Sequence, residues 1–387
     1  MRRRSSPKGS PALVSTSERS RHGDLAAAVT SIMRRAVSGL KAVGRGDTTV
    51  RDLQIALGVI WLVDGGLQLQ PFMFTRGFVT QILEPSAAGQ PAPLAHSILA
   101  MAHYLQPHLV MWNALFALLQ LAIGVGLCFR RSVKPALVVS FVWSLLVWWL
   151  AEGLGGVLTG SASPLTGAPG AALLYVVVGL CAWPRRELAG APANVDVRPQ
   201  VELGTLARAE PSGVLGTWGA RVGWCAMWLG FAALTIMPDN VRPSGLSALL
   251  ASSASGEPGP LGSLDRALAH LVGGNGMALS ILLAVAEVAI GIGAVSRWHP
   301  RGFIVFGAVV AVMFWIVGQD FGGVFSGQGT DPNSGPLVLL LGVAAWGALG
   351  RSMWSPGHRS RTIGDRVALD RPGEPAAIRN GGFSFDA

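Results

Sequence analysis

The chain has 387 residues, half of them apolar and only 13% charged, with a mean hydropathy of +0.46. A soluble domain carries roughly 25% charge, so this deficit excludes a fold whose surface faces water throughout. The net charge of +9 comes from 30 Lys and Arg against 21 Asp and Glu. These cations lie between and outside the apolar blocks and form no basic stripe with interleaved aromatics. That excludes a nucleic-acid interface and points to orientation in a bilayer.

Residues 1–50 are polar and basic. "MRRRSSPKGSPALVSTSERSRHGD" has no apolar stretch of signal-peptide type and reads as disordered. Within 25–43, Leu25, Val29, Ile32, Met33, Ala36, Val37 and Leu40 recur at helical spacing, with Arg34, Arg35 and Lys41 off that stripe. This is either a basic amphipathic helix on an anionic membrane surface or a loosely helical linker.

Eight apolar segments follow, at about 53–70, 108–129, 134–151, 170–184, 219–237, 276–296, 301–318 and 336–350. "FRRSVK" (129–134) and "RWHPR" (297–301) are short basic turns, and basic runs follow the fourth and eighth segments. The long loops 71–107, 152–169, 238–275 and 319–335 hold only Arg76, Arg242 and Arg266 among them. The positive-inside rule then predicts cytoplasmic N and C termini and external long loops, in a bacterial inner membrane. Residues 185–217 read as a polar cytoplasmic linker and 351–387 as a disordered cytoplasmic tail. Cys128, Cys181 and Cys225 form no CxxC and read as small apolar fillers.

The two membrane regions, 51–184 and 218–350, repeat one another. At a spacing of 167 residues Trp61 meets Trp228, Pro71 meets Pro238, His103 meets His270, and "LAIGVG" (121–126) meets "VAIGIG" (288–293). Arg130 then meets Arg297, Trp148 meets Trp315, "GGVLTG" (155–160) meets "GGVFSG" (322–327), and Pro169 meets Pro336, with no gap. Such self-similarity is the mark of duplication. Four spans per copy return the chain to its starting side. The predicted fold class is therefore an all-α membrane protein of eight transmembrane helices, arranged as two parallel four-helix repeats.

A four-span unit with a basic turn between its second and third spans, a long loop after its first, and an "AIGxG" second span resembles the DoxX/DoxD-like membrane family, which includes MauE-like proteins. The chain is similar to a tandem pair of such units. The resemblance implies a membrane redox setting, with a quinone as cofactor and a membrane redox partner. MauE-like members are connected with thiol–disulfide handling; the lack of paired cysteines on the loop side argues against that role here.

Several residues are candidates for chemistry. Asp64, in "GVIWLVDGGLQLQ", and Glu287, in "ILLAVAEVAIGIG", are ionisable groups inside apolar segments, where such groups face the bundle interior. Glu287 aligns with Gln120, so one site holds an acid in one copy and an amide in the other. Glu152, Gln319 and Asp320 stand at the rim of the glycine-rich loops. They read as a ligand site or as solvated helix ends. Gly155, Gly156 and Gly160, with Gly322, Gly323 and Gly327, include GxxxG spacings and form either a lined pocket or a tight structural turn. His103 and His270 recur, and His96, His103 and His108 give H-x6-H-x4-H, which fits a metal site or interfacial hydrogen bonding. Trp143, Trp148, Trp149, Trp298, Trp315 and Trp354 read as interfacial anchors. No nucleophile–base pair, P-loop or HExxH is present, so no catalytic activity is assigned. Three functions remain open: a redox-associated subunit holding a quinone or lipid between the repeats through Asp64, Gln120 and Glu287; a proton-coupled small-solute carrier; and an assembly protein without a ligand.

Overall fold

The structure, a computed structural model, describes residues 50–184 and 215–352, apart from 256 and 258. The amphipathic stretch 25–43, nearly all of the linker, Trp354 and the tail lie outside the described residues. Among those residues all regular structure is helical: α1 (Val50–Leu67), α2 (Ala92–Leu105), α3 (Leu109–Cys128), α4 (Val133–Leu150), α5 (Ala171–Ala182), α6 (Gly216–Thr235), α7 (Gly245–Ser253), α8 (Gly259–Val272), α9 (Gly276–Val295), α10 (Pro300–Ile316) and α11 (Ser334–Ser352). Each of the eight apolar segments falls on a helix. Three stretches are long and apolar enough to cross a membrane: 92–128, 133–150 and 259–295. Shorter apolar helices cover 171–182, 300–316 and 334–347.

The long loops are corrected by the structure. They fold into α2 in the first half and α7 and α8 in the second, with 3₁₀ and π turns over 71–87. Their apolar residues fall at helical spacing: Leu94, Ile98, Ala102 and Leu105 of α2 are buried. His96, His103 and His270 therefore lie on helices and are exposed.

Helix boundaries repeat at the same spacing as the sequence. Adding 167 to α2 and α3 gives the bounds of α8 and α9. The loops repeat as well. Positive φ occurs at Gly153, Leu154, Gly155, Gly156 and Gly160, and again at Asp320, Phe321, Gly322, Gly323 and Gly327. Past that point the register slips by four residues. The Trp148 indole donates to the Pro169 carbonyl, and the Trp315 indole to that of Pro332, both at 2.7 Å. Likewise α5 begins at Ala171 and α11 at Ser334. The ungapped match of Pro169 with Pro336 is thus corrected: Pro336 lies inside α11, and Pro332 occupies the place of Pro169.

Small residues set the closest packing. A Cβ on Gly58 would come 2.9 Å from the Gly124 carbonyl oxygen, so α1 and α3 touch backbone to backbone. In the second half Gly291 approaches the Cys225 carbonyl in the same way. Arginines cap the far ends of both inner helices: Arg51 donates to the Leu127 and Cys128 carbonyls, and Arg221 to that of Ala294 at 2.7 Å. One buried core runs from Leu53 and Trp61 through Trp224 and Trp228 to Leu341, joining the halves. Loops lock across it: Gln319 donates to the Pro164 carbonyl, Asn240 to that of Ala162 and Gln70 to that of Gly329. Outside, α3, α4, α9 and α10 present Leu118, Val142, Leu282, Val285 and Met313, each more than half exposed. Rows of exposed aliphatic side chains on apolar helices belong against hydrocarbon.

Candidate functional site

Asp64 sits in the last turn of α1 rather than at mid-helix, and is 2% exposed. The Tyr175 hydroxyl on α5 donates to its Oδ2. Tyr175 is held by the Trp61 ring, with centroids 4.3 Å apart, and Trp61 in turn donates to Ser140 Oγ at 3.1 Å. Gln68, just past α1, is tied to Asn113 of α3 by reciprocal amide bonds. Trp61, Asp64, Gln68 and Tyr175 line a cavity of about 400 Å³, which Glu152 and, from the second half, Thr330 and Asp331 also line. Gln120 of α3 and Trp143 and Ser144 of α4 line it too.

Polar atoms of this lining are left over by the fold. Asp64 Oδ1, Gln120 Oε1, Trp143 Nε1, Ser144 Oγ and Glu152 Oε2 are buried and have no hydrogen-bond partner in the protein. Native interiors leave few such groups, and each costs about 1–3 kcal/mol when orphaned. Five around one cavity offer both donors and acceptors to whatever occupies it.

The rest of the lining is apolar and aromatic. Tyr104, Trp112, Phe116 and Trp143 follow one another at centroid distances of 5.6, 6.3 and 5.1 Å. The lining residues that reach the surface, Tyr104 at 63% and Leu146 at 45% exposure, lie on α2 and α4 beside the exposed aliphatic face. The cavity therefore runs from a flank of lipid-compatible character to a buried polar end.

At the loop end stand Glu152 and Asp331. Glu152 Oε1 accepts from the Ala172 N–H at 3.0 Å, capping α5 rather than standing solvated at the end of α4. Gly170, with φ +105°, makes room for it: a Cβ there would fall 2.0 Å from Oε2. Asp331 comes from the second half and accepts from the Thr330 hydroxyl at 2.8 Å and the Asn333 N–H at 2.7 Å. Burial, and then the neighbouring Asp331, push the Glu152 carboxyl up to about 8. Burial raises Asp331 too. No Lys, Arg or His lines the cavity. Both carboxyls also line a second, polar cavity of about 640 Å³ on the loop side, among Gln90, Ser161, Ser252 and Asn333.

Asp64, Gln120 and Glu152 are thus brought together. Glu287 is not, which corrects the site expected between the repeats. It is fully buried on α9 beside Thr235. Gln319 and Asp320 are also elsewhere. Gln319 has the backbone conformation of Glu152 but reaches across to Pro164. Asp320 packs near Asp265 and Glu257, and burial followed by these like charges pushes it to about 7. Among the described residues no three His, Cys, Asp or Glu groups converge in metal-ligand fashion, so His96, His103, His108 and His270 form no ligand set. The glycines do not form a GxxxG helix contact: they supply left-handed turns, and Gly155 and Gly322 let the loop close on the Pro169 and Asp331 carbonyls. Trp143 lines the cavity, and the Trp148 and Trp315 indoles each bond a proline carbonyl at the end of their helix. Tyr175, Asp331 and Ser144 were not predicted, and Trp143 was read foremost as an interfacial anchor. Tyr175, one of only two tyrosines, was the readable signal.

No family model, curated protein or solved structure matches the chain.

The second half fills the corresponding space. Phe231 stands where Asp64 would be, 2% exposed and edge-on to Trp228 at 5.3 Å. Val338 takes the place of Tyr175, Val310 that of Trp143 and Ala311 that of Ser144. One half holds a polar-ended cavity and the other an aromatic plug.

Proposed function

We propose that the chain is a multi-pass membrane protein of eight spans in two parallel DoxX-like repeats, whose first repeat binds the head of a quinone-type amphiphile. The observation that carries this is the cavity itself, apolar and aromatic at its flank and lined with orphaned donors and acceptors at its buried end. A quinone carbonyl accepts from Trp143 or Ser144, a quinol hydroxyl donates to Gln120, Asp64 or Glu152, and an isoprenoid tail fits the Tyr104–Trp112–Phe116 flank. The long loops face outward and the termini inward in a bacterial inner membrane, on the strength of the cation distribution. Matching helix bounds and loop φ angles support duplication. The DoxX-like assignment rests on the basic turn and the "AIGxG" segment, and it favours a redox-associated role with a membrane partner.

Native mass spectrometry of the protein in lipid nanodiscs, with identification of released small molecules, tests this. One quinone per chain, lost in Asp64→Asn/Trp143→Phe but kept in Glu287→Gln, is expected. A chain that carries no quinone, and binds none when it is added, refutes the reading. A proton-coupled carrier is favoured by a different observation, the absence of any cation around three cavity carboxyls, and would show as pH-dependent solute uptake by proteoliposomes.

A further inference from the structure

The aromatic cavity and the loop-side cavity share a wall made of Glu152, Ala171 and Asp331. Two of these three residues are carboxyls, and they come from different halves of the chain. Each has a fixed position: Glu152 through the Ala172 N–H, and Asp331 through Thr330 and the Asn333 N–H. Glu152 Oε2 and Asp64 Oδ1 remain without protein partners. Neither cavity is lined by a Lys, Arg or His; the titratable groups lining them are Asp64, Tyr175, Glu152 and Asp331, with Tyr104 on the exposed flank. Burial without a compensating cation pushes the Glu152 carboxyl up to about 8 and raises that of Asp331 as well.

We propose that Glu152 and Asp331 pass protons between the loop-side cavity and the Asp64–Tyr175 end of the aromatic cavity. The transfer moves protons only. The Glu152 O–H bond breaks as one forms on Asp64 Oδ1, directly or through a bridging water. Asp331 then gives its proton to Glu152 and takes another from water in the loop-side cavity. The net change is one proton from that water to Asp64, and the reverse sequence discharges it. Ala171, the third shared residue, carries no ionisable group, so the two carboxyls are the only ionisable groups of that wall. This rests on the cavity assigned above and gives it a proton exit, which either a quinol or a coupled solute would use.

Infrared spectroscopy on the full chain in lipid nanodiscs, with no quinone added, tests the route. The Asp64 carboxyl stretch is identified by its loss in Asp64→Asn and followed as the buffer is switched to D2O. Fast deuteration is expected in the wild type, and a slowing of roughly 100-fold in Glu152→Gln/Asp331→Asn, the loss typical of a removed proton-transfer group. Both replacements keep an acceptor oxygen for the Ala172 and Asn333 N–H groups, so the wall stays in place. Glu152→Asp in the single background restores much of the rate. Exchange at the wild-type rate in the double variant overturns the proposal, as does a carboxyl band for Asp64 that appears at no pH. Failure of the quinone reading is seen separately, as no binding of a short-chain ubiquinone to a wild type whose exchange is normal.

Discussion

The second half supplies a design for emptying the site. Asp64→Phe/Tyr175→Val copies Phe231 and Val338 into the first half. Asp64→Phe alone strands the Tyr175 hydroxyl, at about 1–3 kcal/mol, while a buried phenyl ring contributes about 1.5–3 kcal/mol. The two nearly cancel, and removing the hydroxyl as well eliminates the orphan. A stability change within about 2 kcal/mol is expected for the double variant, or less than roughly 8 °C in Tm. Occupancy behaves differently, because the ring lands in the polar end of a cavity of about 400 Å³. Mass spectrometry from nanodiscs, alongside thermal unfolding, reads both quantities. A double variant that melts like the wild type and has lost its small molecule is expected. Retention of that molecule at unchanged stoichiometry refutes the reasoning.

Glu152 makes stability depend on pH. Its carboxyl ordinarily titrates at 4.5 and is held at about 8 in the fold. Its neutral form is therefore the stabilised one, with the contribution fully present below pH 4.5 and lost as pH rises through about 8. Glu152→Gln stays neutral, so its melting temperature should fall less than that of the wild type on the alkaline side. Parallel curves for the two proteins would remove the claim. Gly170→Ala places a methyl 2.0 Å from Glu152 Oε2 at φ +105°; a loss above roughly 2 kcal/mol is expected in unfolding experiments, only partly relieved in Glu152→Ala because the backbone strain remains. Trp148→Phe and Trp315→Phe each remove one indole bond to a proline carbonyl. Similar losses of about 1 kcal/mol from each are expected, and a loss from only one would show that the two loops are not energetically equivalent.

The sequence alone determined the helices of the apolar blocks. Each runs long enough in Leu, Val, Ile and Ala for periodicity and composition to agree, and a backbone with no water nearby must bond to itself. It also determined the self-similarity at 167 residues, because tryptophans, glycines and basic turns are too distinctive to match in register by chance. Asp64 was legible as a misfit in apolar surroundings, Gln120 through its alignment with Glu287, and Glu152 as a polar group at the rim of a glycine-rich loop. The tertiary structure decided which misfits meet. Glu287 has the same address in its repeat as Gln120, but Phe231 fills the space that Asp64 leaves open, and no pairwise rule on one chain position conveys that. Tyr175 and Asp331 lie 111 and 267 positions beyond Asp64, in an apolar helix and in a loop of the other half. Only packing α5 onto α1 and folding the second loop over the first brings them to the cavity. The four-residue slip at Pro332 was hidden for a related reason: a proline falls by coincidence at both spacings, and only the Trp315 hydrogen bond distinguishes the one that closes the loop.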